Sequence, residues 1–168
     1  MKPGSLRTSG GKGAPLEMEK KVIAATLAVF DTMVMLETVP EAPLGPKSAI
    51  SCNISGMLGL AGDLRGMLAV HWPRALATDV TSRLLGEEVE GREEDIRDAI
   101  AEIVNMIAGG IKAAFSSEGK VLELSVPTTV TGNSYTVRSA WNSSHIIIPF
   151  RAGEECFWTE LKFLETAD

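Results

Sequence analysis

A carboxylate and a carboxamide stand three residues apart in the stretch DAIAEIVNMIAGGIKAAF, Asp98 to Phe115. In a helix, at about 100° per residue, Glu102 and Asn105 share one face, one turn apart. Asp98 and Gly109 extend that face on either side. The opposite side carries Ile96, Ile100, Ile103, Ile107 and Ile111, the stripe of a helix packed on a core. The two polar side chains therefore project together, into solvent or a partner. An ionised carboxylate only accepts hydrogen bonds and attracts a cation, whereas an amide both donates and accepts. The spacing taken alone equally describes a solvated helix face. Gly109 and Gly110 add to it, since each glycine costs a helix roughly 1 kcal/mol relative to alanine. Close approach by the backbone of another molecule is one reason to keep them; close packing by a helix of the same chain is another.

The elements around this helix are grouped rather than alternating. Residues 1–15 are rich in Gly, Ser and Pro without apolar periodicity and are expected to be disordered. Residues 16–168 are expected to form a single domain. A first apolar helix is expected from Leu16 to about Thr38, with Ile23, Leu27, Phe30 and Val34 on one stripe, widened by Val22, Val29, Met33 and Leu36. VPEAPLGP then breaks it. AISCNISGMLGL and LRGMLAVHW, joined by AGD, read as an antiparallel hairpin with one buried face. Pro73 and Gly86 bracket a second helix, and EEVEGREED reads as a solvated acidic connection. Four strand-like runs follow the long helix: Lys120–Val126, Tyr135–Ala140, His145–Phe150 and Cys156–Phe163, with turn signals at TGN and RAGEE. The expected fold is α+β, a mostly antiparallel sheet of about six strands packed against three helices.

Composition narrows the functional classes. The chain has 168 residues, 45% hydrophobic, with a net charge of −6, enough for one sizeable core and a poor match to a nucleic-acid partner. Cys52 and Cys156 read as buried thiols in a reducing cytoplasm. With only His71 and His145 beside them, no metal site is expected in this chain. The apolar run VIAATLAVF lacks a cleavage signal and is too short to span a bilayer, so no membrane association is expected. The sequence contains no G-x-S-x-G, H-E-x-x-H or G-x-x-x-x-G-K-[ST] motif.

Asp98, Glu102 and Asn105, followed by Pro127 after twenty-one intervening residues, resemble the signature of the CheC/CheX/FliY phosphatases of bacterial chemotaxis. AGDLRGMLAVHW, ALATDVTSRLLGEE and SVPTTVTG extend the likeness over the chain from about residue 20. Glu102 and Asn105 form the only E-x-x-N in the sequence, so the single-site CheX type fits best. The resemblance implies a cytoplasmic hydrolase of the aspartyl-phosphate on a CheY-type response regulator. In that role Asn105 would orient the attacking water and Glu102 would pair with the regulator's lysine, with Asp98, Gly109 and Gly110 supporting the interface. The chain would bind no cofactor itself, Mg²⁺ coming with the regulator. The family further implies a homodimer joined through its sheets, and the apolar runs HIIIPF and CFWTELKF are where an exposed sheet edge is expected. The alternative is a non-catalytic module that binds receivers or resembles a flagellar-switch component.

Overall fold

The computed structural model describes residues 13–45, 48–138 and 144–165; most of the segment expected to be disordered lies outside them. Helix α1 spans Gly13–Val29, beginning three residues before its expected start, and a π-helical turn, Phe30–Val34, continues it. Strands β1 (Val39–Pro40), β2 (Ile50–Gly62) and β3 (Leu64–Trp72) lead to α2 (Arg74–Leu85) and α3 (Glu93–Ser117). Strands β4 (Leu122–Leu124), β5 (Thr128–Val137), β6 (Ser144–Ala152) and β7 (Glu155–Glu165) complete the chain. The architecture is α+β, three helices on a seven-stranded sheet whose pairs are all antiparallel.

The sheet order is β1-β6-β7-β3-β2, with β4 and β5 sharing the outer edge of β2. One face is covered by the helices. Val22 and Phe30 from the first helix meet Ile100, Ile103, Ile107 and Ile111 of α3 over Leu58, Leu68, Val70, Leu161 and Phe163 of the sheet. Trp72, Phe30 and Phe157 stack there, with centroids 4.4–5.9 Å apart. α3 is long and apolar enough to cross a bilayer, but its isoleucine stripe is packed on this sheet, as in a core helix.

Several sequence expectations shift for local reasons. Phe30 and Val34 are buried, as their shared stripe predicts, but the segment is wound as a π turn with an extra residue per turn, and Met33, expected to widen the stripe, is 51% exposed. The buried stripe of α1 is Met18, Val22, Ala25 and Val29, with Ile23 and Leu27 at its margin. Within the broken segment, Val39–Pro40 still pair with Phe150 and Arg151, because an edge strand can spare proline's missing N–H. Val89, in the acidic connection, is fully buried. TGN is not a turn: β5 runs through it, with a bulge opposite Asn53. The Asn53 side chain explains this bulge. Its Nδ2 donates to the Asn133 carbonyl, and its Oδ1 accepts the Arg74 N–H at 2.9 Å, at the start of α2.

The late apolar strands are not free edges. β7 lies between β3 and β6, and the outer edge of β6 is occupied by β1, Glu41 and Leu44. The bulge at Asn53 has a larger consequence. Beyond it, Ile50 and Cys52 of β2 join Ile147 of β6 in a second small core on the face away from the helices, with Leu44, Tyr135, Val137 and Trp158 around them. In a flat sheet β2 and β6 would be about 14 Å apart, three strand spacings. The β2–β5 ribbon therefore curls over the sheet as an arm.

Candidate functional site

The outward face of α3 is built by the packing of its inward face. Ile100 and Val104 rest on Gly56 of β2, where an added Cβ would meet the Ile100 carbonyl oxygen and Cγ2 at 3.0 Å and Val104 Cγ1 at 3.2 Å. Gly56 thus sets how closely α3 approaches the sheet. A glycine inside the strand-like run NISGML is the sequence signal that could have marked it.

Asp98, Glu102 and Asn105 are all exposed, on the side away from the isoleucines. None of the three side chains bonds to another described residue. Nearby carboxylates behave differently. Glu93 pairs with Arg74, which lowers its pKa from the usual value; Asp95 pairs with Arg92 at 2.5 Å, and Glu118 with Lys21 at 2.9 Å. The acidic first turn, Glu93 to Asp95, suits the positive end of the helix dipole. The two glycines part company. A Cβ at Gly109 would meet nothing within 4 Å, whereas one at Gly110 would lie 3.0 Å from Ala25 Cβ on α1. Gly110 has an internal reason, the close packing of two helices; Gly109 faces open space.

Pro127 stands where the chain passes from β4 to β5 along β2. Just before it, Ser125 closes on Gly59 twice: its N–H donates to the carbonyl at 3.0 Å and its Oγ accepts the Gly59 N–H at 2.7 Å. A residue without an N–H suits this interruption.

The pair on α3 lies outside the hollow of about 430 Å³ formed by Arg74, Ala75, Thr78, Glu90, Gly91, Glu93 and Ile96. An exposed helix face suits a macromolecular partner. Among the described residues no group of three or more His, Cys, Asp or Glu side chains is arranged to hold a metal ion.

A second polar cluster, which the sequence reading missed, lies beneath the arm. Ser55 Oγ is 2.6 Å from His71 Nδ1 and 2.7 Å from Tyr135 OH. Glu160 stands 3.4 Å from His71 Nε2 and 2.9 Å from His145 Nε2. Burial works against charge on both His71 and Glu160. The neighbouring Cys52 and the Glu160 carboxylate nevertheless raise the His71 pKa, and the hydrogen bonds that Glu160 accepts from His71 and His145 lower its own. Cys52 is a buried free thiol, as expected, while Cys156 is only half-buried.

Helices laid on an antiparallel sheet, one of them presenting a carboxylate and an amide with no partner among the described residues, define an α+β class of protein. The comparisons narrow this class. The family model for chemotaxis phosphatase CheX matches residues 54–151, more than half of the chain, and the chain belongs to that family. Chemotaxis protein CheX from Vibrio vulnificus is similar at 29% identity and TM-score 0.81, covering 88% of this chain and 99% of its own. CheX from Desulfovibrio desulfuricans is similar at 28% identity with the same TM-score and coverage. CheX from Borrelia burgdorferi, crystallised as a CheX-CheY-BeF3-Mg²⁺ complex, shares the fold at 24% identity and TM-score 0.74, covering 88% of this chain and 97% of that one. No curated protein sequence matches the chain with significance.

Proposed function

We propose that this chain hydrolyses the aspartyl-phosphate of a CheY-type response regulator, docking on it through the outward face of α3. The observation that carries the reading is the pair Glu102 and Asn105, exposed, one turn apart and without internal partners, in a chain of the CheX family. The Borrelia complex, in which a CheX holds CheY with BeF3 and Mg²⁺, supports the choice of partner. An acyl phosphate is already reactive, so the protein needs no nucleophile of its own. It needs one water held in line with phosphorus. Water attacks phosphorus, the P–O bond to the aspartyl carboxyl breaks, and carboxylate and inorganic phosphate leave. The Asn105 amide orients that water without a charge that would repel the phosphoryl group. Glu102 pairs with a lysine of the regulator and fixes the helix in register. Asp98 supports the contact, and Gly109 leaves room for the regulator's backbone. Mg²⁺ comes with the regulator's acidic pocket.

The test follows the decay of a phosphorylated CheY-type receiver with and without the protein, alongside binding to the beryllofluoride-activated receiver. Wild type should do both. Binding without accelerated decay would establish the non-catalytic module instead.

Assembly belongs to the same reading. The outer edge of β5 is unpaired among the described residues, and open edges recruit other chains. A homodimer through that edge is expected, both long helices facing outward. A monomeric mass by light scattering at micromolar concentration would exclude it.

A further inference from the structure

Lys112 lies on the same line of α3 as Asn105. Seven residues at about 100° each bring the helix back to within about 20° of its starting direction, about 10 Å further along the axis. Lys112 is exposed and makes no hydrogen bond or ion pair with another described residue. Cations elsewhere on the helices are held: Lys20 by Glu17 at 3.5 Å, Lys21 by Glu118 at 2.9 Å and Arg83 by Asp79 at 3.2 Å. The positions three and four away from Lys112 are Ala108, Gly109, Phe115 and Ser116, so its own helix offers it no carboxylate. The helix dipole does not account for it either. That field acts within the last turn, and α3 runs on to Ser117.

Side chains on a helix lean toward its N-terminus. An extended lysine at this position carries its ammonium back toward Asn105. Gly109, where an added Cβ would meet nothing within 4 Å, leaves that path clear. From its N-terminal end the outward face thus offers Asp98 and Glu102, then the neutral Asn105 and Gly109, then Lys112. The two carboxylates, on a chain of net charge −6, repel a phosphoryl group; the ammonium attracts it. We propose that Lys112 tells the phosphorylated receiver from the unphosphorylated one, its ammonium bonding an oxygen of the phosphoryl group whose phosphorus faces the water on Asn105. The inference rests on the reaction proposed above and adds a specificity-determining contact to it. Glu102 takes the regulator's lysine, which is present in both states, so that contact does not distinguish them. Asn105 is neutral and holds a water. A cation gains directly from the added phosphoryl charge. The phosphoryl oxygens carry charge in the ground state and in the transition state alike, so Lys112 acts on affinity more than on turnover.

The experiment measures affinity for a receiver that the wild type dephosphorylates, once with Mg²⁺ alone and once with Mg²⁺ and beryllofluoride, which stands in for the phosphoryl group. Wild type should prefer the activated form. In Lys112→Gln that preference should shrink by about tenfold, the loss of one charge-assisted hydrogen bond, with binding to the unactivated receiver unchanged. KM for dephosphorylation should rise in step while kcat is largely kept. Lys112→Arg should retain the preference, because a guanidinium also bonds phosphate. Gln matches lysine as a helix former and the position is exposed, so Tm should not move. Equal weakening toward both forms would make Lys112 a general docking charge and overturn the inference. So would a preference that survives in Lys112→Gln, or a wild type that binds both forms equally. Each of these leaves the proposed function standing. A wild type that dephosphorylates no CheY-type receiver removes both.

Discussion

Two polar clusters of similar size are treated in opposite ways by this chain. Glu102 and Asn105 on α3 are exposed and bond to no described residue. Ser55, His71 and Glu160, beneath the arm, are buried and linked to one another and to Tyr135 and His145. Water satisfies the first cluster at no cost, so its bonding capacity remains available to a partner. Ser55, His71 and Glu160 are shielded from water and must be satisfied within the fold. Removing a member of the first should cost activity and little stability; removing a member of the second should do the reverse.

Asn105→Ala is the sharpest test on the exposed side. The lost contact exists chiefly in the transition state, so dephosphorylation should slow by about 10²–10⁴-fold with docking largely kept. Stability should stay within about 0.5 kcal/mol, as for other surface changes. Full activity in this variant would refute the water-orienting role. Glu102→Ala should weaken docking as well, and less so at high salt, where the wild-type contact is itself screened.

On the buried side, Glu160→Gln removes the carboxylate that faces both His71 and His145. Breaking a buried pair costs about 3–5 kcal/mol, which at roughly 2–4 °C per kcal/mol for a domain of this size lowers Tm by about 6–20 °C. A melting curve that does not move would erase the contrast.

The buried cluster should also make stability depend on pH. The His71 pKa is raised in the fold, so its stabilisation is complete below the unfolded value of about 6.5 and is lost as pH rises through the folded value. The Glu160 pKa is lowered, so its contribution is complete above the unfolded value of about 4.3 and is lost as pH falls through the folded one. Together they favour a stability maximum near pH 5–6.5, read from denaturant midpoints across pH.

The smallest effects separate the adjacent glycines. Gly109→Ala gains helix propensity of up to about 1 kcal/mol with open space around the new Cβ, and should raise Tm while weakening docking. Gly110→Ala gains the same propensity but brings a methyl to 3.0 Å from Ala25 Cβ, so its Tm should not rise. Equal shifts would mean that α1 yields at that contact.

Periodicity was enough to read α3. Five isoleucines at helical spacing placed Glu102, Asn105, Asp98 and Gly109 outward before any contact was known, because a helix's two faces follow from local geometry alone. The hairpin β2–β3, the turn at RAGEE and the cap at Gly86 were legible for the same reason: each depends on residues close in sequence. The π turn after Val29 was not, since Phe30 and Val34 share a face at ordinary helical spacing too, and periodicity does not tell the two windings apart. TGN carried the composition of a turn, yet Asn53, eighty positions away from Asn133, turned it into a bulge.

Local chemistry determined which residues of this chain could face a partner: the isoleucine period, the single E-x-x-N and the glycines belong to one contiguous helix. What each glycine packs against, which sheet edge is open among the described residues, and that Ser55, His71, Tyr135, His145 and Glu160 meet at all were decided only by tertiary structure. Those residues come from five strands, and no spacing in a linear chain encodes which strands become neighbours or where one of them bends. Pairing across the sheet and burial away from water brought them together, and burial then obliged each polar atom to find its partner.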